Sequence, residues 1–184
     1  MQHSFHRVQT LLLDGVPVPQ INFRFDGPVG DKHYGRIRKL DGHDGRIIRN
    51  TKLRKGHPVL NTRPWTVVSF EELRKIEKKL GVQIPSSCLP KSIVVRGISN
   101  FSRLPPGTKL VFPQKVGGQQ VILVILEQNT PCRAVGDKLQ SHYPEQKDLS
   151  SRFTEAAINR MGFMGSVLSE GFMKVNGIVE AHPP

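Results

Sequence analysis

Six apolar residues in succession, Val-Ile-Leu-Val-Ile-Leu at 121–126, predict a strand buried on both faces. Polarity returns with Glu127, Gln128 and Asn129, and Thr130-Pro131 breaks the run. Shorter β-rich runs recur between turn signals: 21–25 after Pro17 and Pro19, 65–68 after Pro64, and 93–96 after Pro90. Residues 109–112 follow Pro105-Pro106-Gly107, and 121–126 follow Gly117-Gly118. Weaker strand patterns lie at 166–168 and 177–181. Many short strands separated by Gly and Pro turns predict a mainly β fold, a barrel or a sandwich.

Two stretches switch to a helical period. Ser69-Phe70-Glu71-Glu72 reads as a capping box, with Ser69 capping the helix and Glu72 reaching back to it. Leu73, Ile76 and Leu80 then share one face, and Gly81 is the stop. A second helix is predicted over 151–161, with Phe153, Ala156, Ala157 and Met161 on one side. Both apolar faces are expected to pack outside the β-structure, without a chemical role. Residues 26–62 have neither period; they are Gly-rich and basic, and a loop that long in a compact domain is usually functional or disordered.

Length and composition narrow the setting. A chain of 184 residues suits one domain, and at that size roughly 70% of the unfolded surface is buried on folding. An apolar content of 37% argues against wholesale disorder. No apolar run approaches the roughly 20 residues needed to span a bilayer, so no membrane association is expected. Val8 and the leucines at 11–13 are too few for a secretory leader. Two cysteines, Cys88 and Cys132, do not make a disulfide framework, and a reducing cytoplasm is the simplest setting.

Charge changes the picture more. The 27 Lys and Arg exceed the 15 Asp and Glu, giving a net charge of +12. Between 32 and 55 lie Lys32, Arg36, Arg38, Lys39, Arg46, Arg49, Lys52, Arg54 and Lys55, offset by Asp41 and Asp44. Such a cluster attracts anions, whether nucleic acid, a phosphorylated cofactor or an acidic partner; the alternative is a solvated loop. Tyr34 is the only aromatic residue there, which weakens a single-strand nucleic-acid reading that needs stacking platforms.

The candidate nucleophile is Cys132. With Thr130 as N-cap and Pro131 at the first helical position, Cys132 would be the second residue of a helix. There it would face the helix's positive end and its free N–H groups, with Arg133 adding a cation, a setting that favours the thiolate. The alternative is a small buried hydrophobe. Gly30-Asp31-Lys32-His33-Tyr34-Gly35 offers close backbone approach plus donors for a phosphate or a pterin-type ring, although a flexible turn would look the same. Asp41-Gly42-His43-Asp44-Gly45 has too few oxygens for a calcium loop. His33, His43, His57 and Cys132 lack the short spacings of structural zinc sites. Neither a phosphate-binding Gly-Lys-Ser/Thr loop nor a Gly-x-Ser-x-Gly elbow is present.

In order along the chain these pieces resemble a MOSC domain, the module found at the C-terminus of molybdenum-cofactor sulfurases and as small free-standing proteins. The resemblance runs through Gly30-Asp31-Lys32-His33-Tyr34-Gly35, then Arg63 with Thr66-Val67-Val68-Ser69 and Glu72-Leu73. It continues with Leu89 and Ile93-Val94-Val95-Arg96-Gly97-Ile98, then Leu104-Pro105-Pro106-Gly107-Thr108-Lys109-Leu110. Pro131-Cys132 after the long strand, the stretch 162–167 and Gly171 complete it, over residues 15–180 or so of a single domain, 1–184. Two places depart from the family: Ser92 stands where many members have asparagine, and Asn176-Gly177 where many have Gly-Asp.

The resemblance implies a barrel-like, strand-rich fold with a few peripheral helices and a cleft holding one cysteine. It implies a molybdenum-cofactor-binding protein or a sulfur carrier, with Cys132 as persulfide acceptor or metal ligand. Lys32, His33, Arg49 and Arg63 would hold the anion of the phosphorylated molybdopterin, and Asn129 and Thr130 would shape the site. A cysteine desulfurase or a redox partner would complete the system, whose activity would be sulfur transfer or molybdenum-dependent redox chemistry. Two rival readings stand beside it: a basic nucleic-acid-binding module, and a degenerate MOSC fold that serves only as an interaction partner.

Overall fold

A computed structural model describes residues 6–89, 92–114 and 118–184, apart from the side chains of His43 and Arg46. Pro90 and Lys91, and the Gly117 turn signal, lie outside the described residues. The elements are β1 (Arg7–Leu13), β2 (Val16–Val18), β3 (Gln20–Arg24), β4 (Gly27–Pro28), β5 (Ile37–Lys39), α1 (Gly45–Asn50) and β6 (Pro58–Leu60). There follow β7 (Trp65–Ser69), α2 (Phe70–Leu80), β8 (Ile93–Arg96), β9 (Lys109–Phe112) and β10 (Val121–Gln128). The chain ends with α3 (Arg133–His142), α4 (Leu149–Ala157), β11 (Phe163–Ser169), β12 (Gly171–Lys174) and β13 (Glu180–His182). The fold is mainly β with a few helices.

Eight strands form one sheet in the order β13-β9-β10-β11-β7-β8-β1-β2, antiparallel except for the β7–β8 pair. A parallel neighbour needs a crossover, and α2 supplies it. A three-stranded sheet, β12-β3-β4, and the β5–β6 pair complete the architecture. Of the barrel-like fold expected from the sequence, no closed barrel is found among the described residues, because no strand ladder joins the edge strands β13 and β2. The nearest approach to closure is the isolated bridge of Arg7 with Ile178, flanked by Val8 N–H to Gly177 O and Val179 N–H to His6 O.

Strand alternation sorts the apolar residues into two layers. Leu11, Val67, Ile93, Val95, Leu123 and Ile125 point to an inner core with Phe23, Trp65, Phe101 and Phe163. Leu12, Val68 and Val94 point the other way, onto Leu73, Ile76 and Leu80 of α2, Leu139 of α3 and Phe153 of α4. Helices therefore cover only part of the sheet. On β10 the burial alternates, with Val121, Leu123 and Ile125 buried and Leu126 42% exposed. The reading of a strand buried on both faces is corrected: on its other face Ile122 and Val124 are half-buried and Leu126 is exposed.

The helix start at Ser69 follows the sequence in one respect and departs in another. Ser69 Oγ accepts from Glu72 N, and Gly81 closes α2 in the left-handed region at φ 74°. Glu72 does not reach back. Its carboxylate is buried and accepts from both N–H and Oγ–H of Ser102, while Glu71 takes the Ser69 hydroxyl and Gly97 N–H. Removing the cap, Ser69→Ala, should cost about 1 kcal/mol in urea unfolding. The second predicted helix runs from Leu149 to Ala157, so Met161 lies beyond its end.

Candidate functional site

The end of β10 is held from behind by a chain of hydrogen bonds. Ser102 Oγ accepts from Gly162 N at 3.1 Å, and Gln128 Nε2 donates to Ser102 O at 2.9 Å. Asn129 N donates to Gly162 O at 2.9 Å, and its Nδ2 reaches Met161 O at 3.3 Å. Asn129 is thus buried and engaged with backbone, as an anchor for the turn that follows. Past Thr130 and Pro131 the chain enters α3 with Cys132 itself as N-cap, at φ −118° and ψ 150°. The helix begins two residues later than the sequence reading places it.

As an N-cap, Cys132 O accepts from Val135 N at 3.2 Å and from Gly136 N at 3.4 Å. Its thiol makes no capping hydrogen bond, and the residue is half-buried. Arg133, expected as a neighbouring cation, is 86% exposed and lies 3.9 Å from Asp137 instead. The cations near the thiol come from elsewhere in the chain. Cys132 lines a cleft of about 380 Å³ together with Lys32, His33, Arg63, Asn129 and Thr130. A volume in that range suits a small-molecule ligand. Arg49, on the last turn of the short helix α1, is not among the lining residues.

The loop that brings Lys32 and His33 is pinned at several points. Lys32 N donates to Asp14 Oδ1 at 3.2 Å, and Asn61 Nδ2 donates to His33 O at 2.8 Å and Gly35 O at 2.9 Å. Asp31 is buried and accepts from His33 N and His33 Nδ1, both at 2.8 Å. Burial pushes the Asp31 pKa up, but hydrogen bonds from the ring and backbone of His33, the His33 charge and a hydrogen bond from the Asp14 backbone outweigh it and hold the carboxyl below its ordinary value. A carboxylate only accepts, so Nδ1 of His33 carries the proton and Nε2 is the atom left for a ligand.

The opposite wall is an ion-pair cluster. Arg38 grips Asp44 through two bonds, at 2.7 and 2.8 Å, and Asp41 N donates to the same carboxylate at 2.7 Å. Arg63 donates to Asp44 at 3.1 Å and to both oxygens of Asp41, at 3.0 and 3.1 Å. Asp44 is 4% exposed, and its carboxyl is held down at about 2, chiefly by the Arg38 hydrogen bonds against the cost of burial. Arg63 lines the cleft as expected, but with its guanidinium on two carboxylates. Its part in the site is that of a wall held in place, which the sequence reading of a ready anion clamp does not contain.

Sequence reasoning missed Arg38, Asn61, Trp65, Met161 and Met164 as lining residues. Strand alternation offers a signal for Met164, which neighbours Gly165 on β11, but no sequence signal separates Arg38 from the other cations. Asp41 and Asp44, read from the sequence as an offset to the basic cluster and as too few oxygens for a calcium loop, hold the arginines. Among the described residues no group of three or more His, Cys, Asp or Glu is placed to hold a metal ion. No described helix is long and apolar enough to cross a membrane.

The MOSC domain family matches residues 32–180, and the chain belongs to that family. Among curated proteins it is similar to a protein of Bacillus subtilis (strain 168) described as "putative metal-sulfur cluster biosynthesis proteins YuaD". The two are 28% identical over 164 residues, covering 89% of this chain and 80% of the relative. The crystal structure of YuaD from Bacillus subtilis superposes with a TM-score of 0.86 at 25% identity, covering 97% of this chain and 96% of that one. YiiM from Escherichia coli shares the fold at 13% identity and a TM-score of 0.55, covering 96% of this chain and 67% of its own.

Proposed function

We propose that this protein is a sulfur carrier that takes a sulfane sulfur onto Cys132 as a persulfide, for delivery to a metal–sulfur or molybdenum centre. The observation that carries the reading is the half-buried Cys132 thiol at the start of α3, in the same cleft as Lys32 and His33. In the loading step the Cys132 thiolate attacks the outer sulfur of a donor persulfide. The new S–S bond forms as the donor's S–S bond breaks, and the donor leaves as a thiolate. Neither an oxidant nor a reductant is needed. A cysteine desulfurase persulfide is the donor chemistry that fits this step.

Family membership and the description of YuaD support a role tied to sulfur and metals. The molybdenum cofactor is the finer reading. Four cationic residues line the cleft, Lys32, Arg38, Lys39 and Arg63; Asp41 and Asp44 pair with the two arginines, which leaves Lys32 and Lys39 as the excess. That excess suits a phosphorylated pterin, with Lys32 as the donor to the phosphate, His33 Nε2 as an acceptor for an N–H of the pterin ring and Cys132 as the thiolate ligand for the metal. When bound, the cofactor would supply the redox-active metal; the chain's residues bind its anion and present the thiol.

The test is sulfur uptake from a low-molecular-weight persulfide, followed by intact mass. Lys32→Ala should slow uptake several-fold, and inorganic phosphate should compete with it in the wild type but not in the variant. Cys132→Ser should take none. Uptake equal in wild type and Cys132→Ser would contradict the carrier reading. Salt-sensitive retention on nucleic acid that ignores alkylation of Cys132 would replace it with the nucleic-acid rival, which rests on the exposed cations at 49–55.

A further inference from the structure

Cys88 takes no part in the uptake step. It is 3% exposed, at the end of the turn Ser86–Cys88, and belongs to the apolar cluster beneath the helices. It also lines a second cleft, of about 250 Å³, and Cys132 lines that cleft too. Lys32, His33, Thr66 and Val135 are common to both clefts, so the two adjoin with Cys132 at their junction. Cys132 packs against the very cluster that contains Cys88. The turn carrying Cys88 is fastened to the helix that Cys132 caps, because Lys138 Nζ donates to Ser87 O at 2.6 Å. Neither Cys88 nor Cys132 is in a disulfide.

We propose that Cys88 is the resolving thiol of Cys132, and that the pair releases the carried sulfur as sulfide. The proposal rests on uptake of sulfur at Cys132 for its first step. Cys88, as thiolate, attacks Sγ of the Cys132 persulfide. The bond between the two cysteine sulfurs forms while the bond to the outer sulfur breaks, and the electron pair leaves with that sulfur. Cys132–S–SH and Cys88–S⁻ thus give Cys132–S–S–Cys88 and HS⁻, so the outer sulfur is reduced and the two thiols are oxidised to a disulfide. Lys32 and Lys138 line this second cleft, offset by Asp14 and Asp31, and the two ammonium groups are the cationic donors there for an anionic leaving group. A dithiol reductant resets the protein by thiol–disulfide exchange. The second cleft is then the exit for sulfide, and the first admits the donor or the acceptor cofactor.

Loaded wild-type protein, desalted and kept without external thiol, should release sulfide nearly equimolar with its persulfide. Peptide mapping under non-reducing conditions should find Cys88 joined to Cys132. Cys88→Ala should keep its persulfide on Cys132 and release at least about tenfold less sulfide. Because Cys88 is buried, circular dichroism should accompany that variant, and an arm without any substitution treats unloaded wild type with diamide, which should close the same disulfide. A wild type that loads but keeps its persulfide, and forms no Cys88–Cys132 bridge with diamide, overturns the proposal and leaves uptake intact. A wild type that never loads overturns uptake and the release step with it, while the diamide arm still reports whether the thiols can meet.

Discussion

Replacing Asp44 with alanine should destabilise the protein by about 3 kcal/mol and loosen the basic wall of the cleft. One carboxylate, 4% exposed, accepts from Arg38, Arg63 and the Asp41 backbone. Its loss takes from Arg38 the carboxylate it grips through two bonds, while Arg63 keeps Asp41 and, 3.9 Å away, Glu127. A guanidinium with little access to water that loses its hydrogen-bonded carboxylate is among the costlier defects a folded chain can carry. The same group sets an acid limit. Its pKa is about 2 in the folded protein against an ordinary 3.8, so its contribution is complete above that ordinary value and lost as pH falls toward 2. The shift corresponds to about 2 kcal/mol at neutral pH. Urea unfolding at a series of pH values should show the wild type weakening below about pH 4, with Asp44→Ala flatter across that window. Equal slopes for the two proteins would remove Asp44 as the cause.

Gly162→Ala should be as damaging, at about 3 kcal/mol, and should also disturb the cysteine turn. Gly162 has φ +69°, and an added Cβ would stand 1.9 Å from Val67 O, inside the strand that neighbours it. The backbone must move, and Gly162 exchanges hydrogen bonds with both Ser102 Oγ and Asn129 N. Thermal unfolding reports the first effect and the rate of Cys132 alkylation the second. A variant with wild-type stability would mean the 160–162 turn has another conformation.

Where side chains repeat at period two and turns are marked by Gly or Pro, the strands were legible: β8 and β9 span the residues expected, and β7 and β3 lie within one residue of them. The strand β1 was not, because Val8 and the leucines at 11–13 give three consecutive apolar residues rather than alternation. The fold splits them, with Leu11 inward and Leu12 under the helices. Within 26–62, β5, β6 and α1 are three to six residues each and mostly exposed, so they carry no hydrophobic period to read. At the site, Cys132, Lys32 and His33 could be named from residue chemistry. The pairing of Arg63 with Asp44 could not, because it joins residues 19 apart through the fold. Arg49 looked like its neighbours in sequence, yet on α1 it is not among the residues that line the cleft.

The central claim is that Cys132 is the atom that receives sulfur, and site-resolved mass spectrometry tests it most directly. Wild-type protein is incubated with a persulfide donor, trapped with an alkylating agent, digested and mapped without reduction. The account predicts either the added sulfur on the Cys132 peptide or, where it has already left as sulfide, Cys132 joined to Cys88. Sulfur found on Cys88 alone, or folded protein with neither added sulfur on Cys132 nor a bridge from it to Cys88, would contradict it.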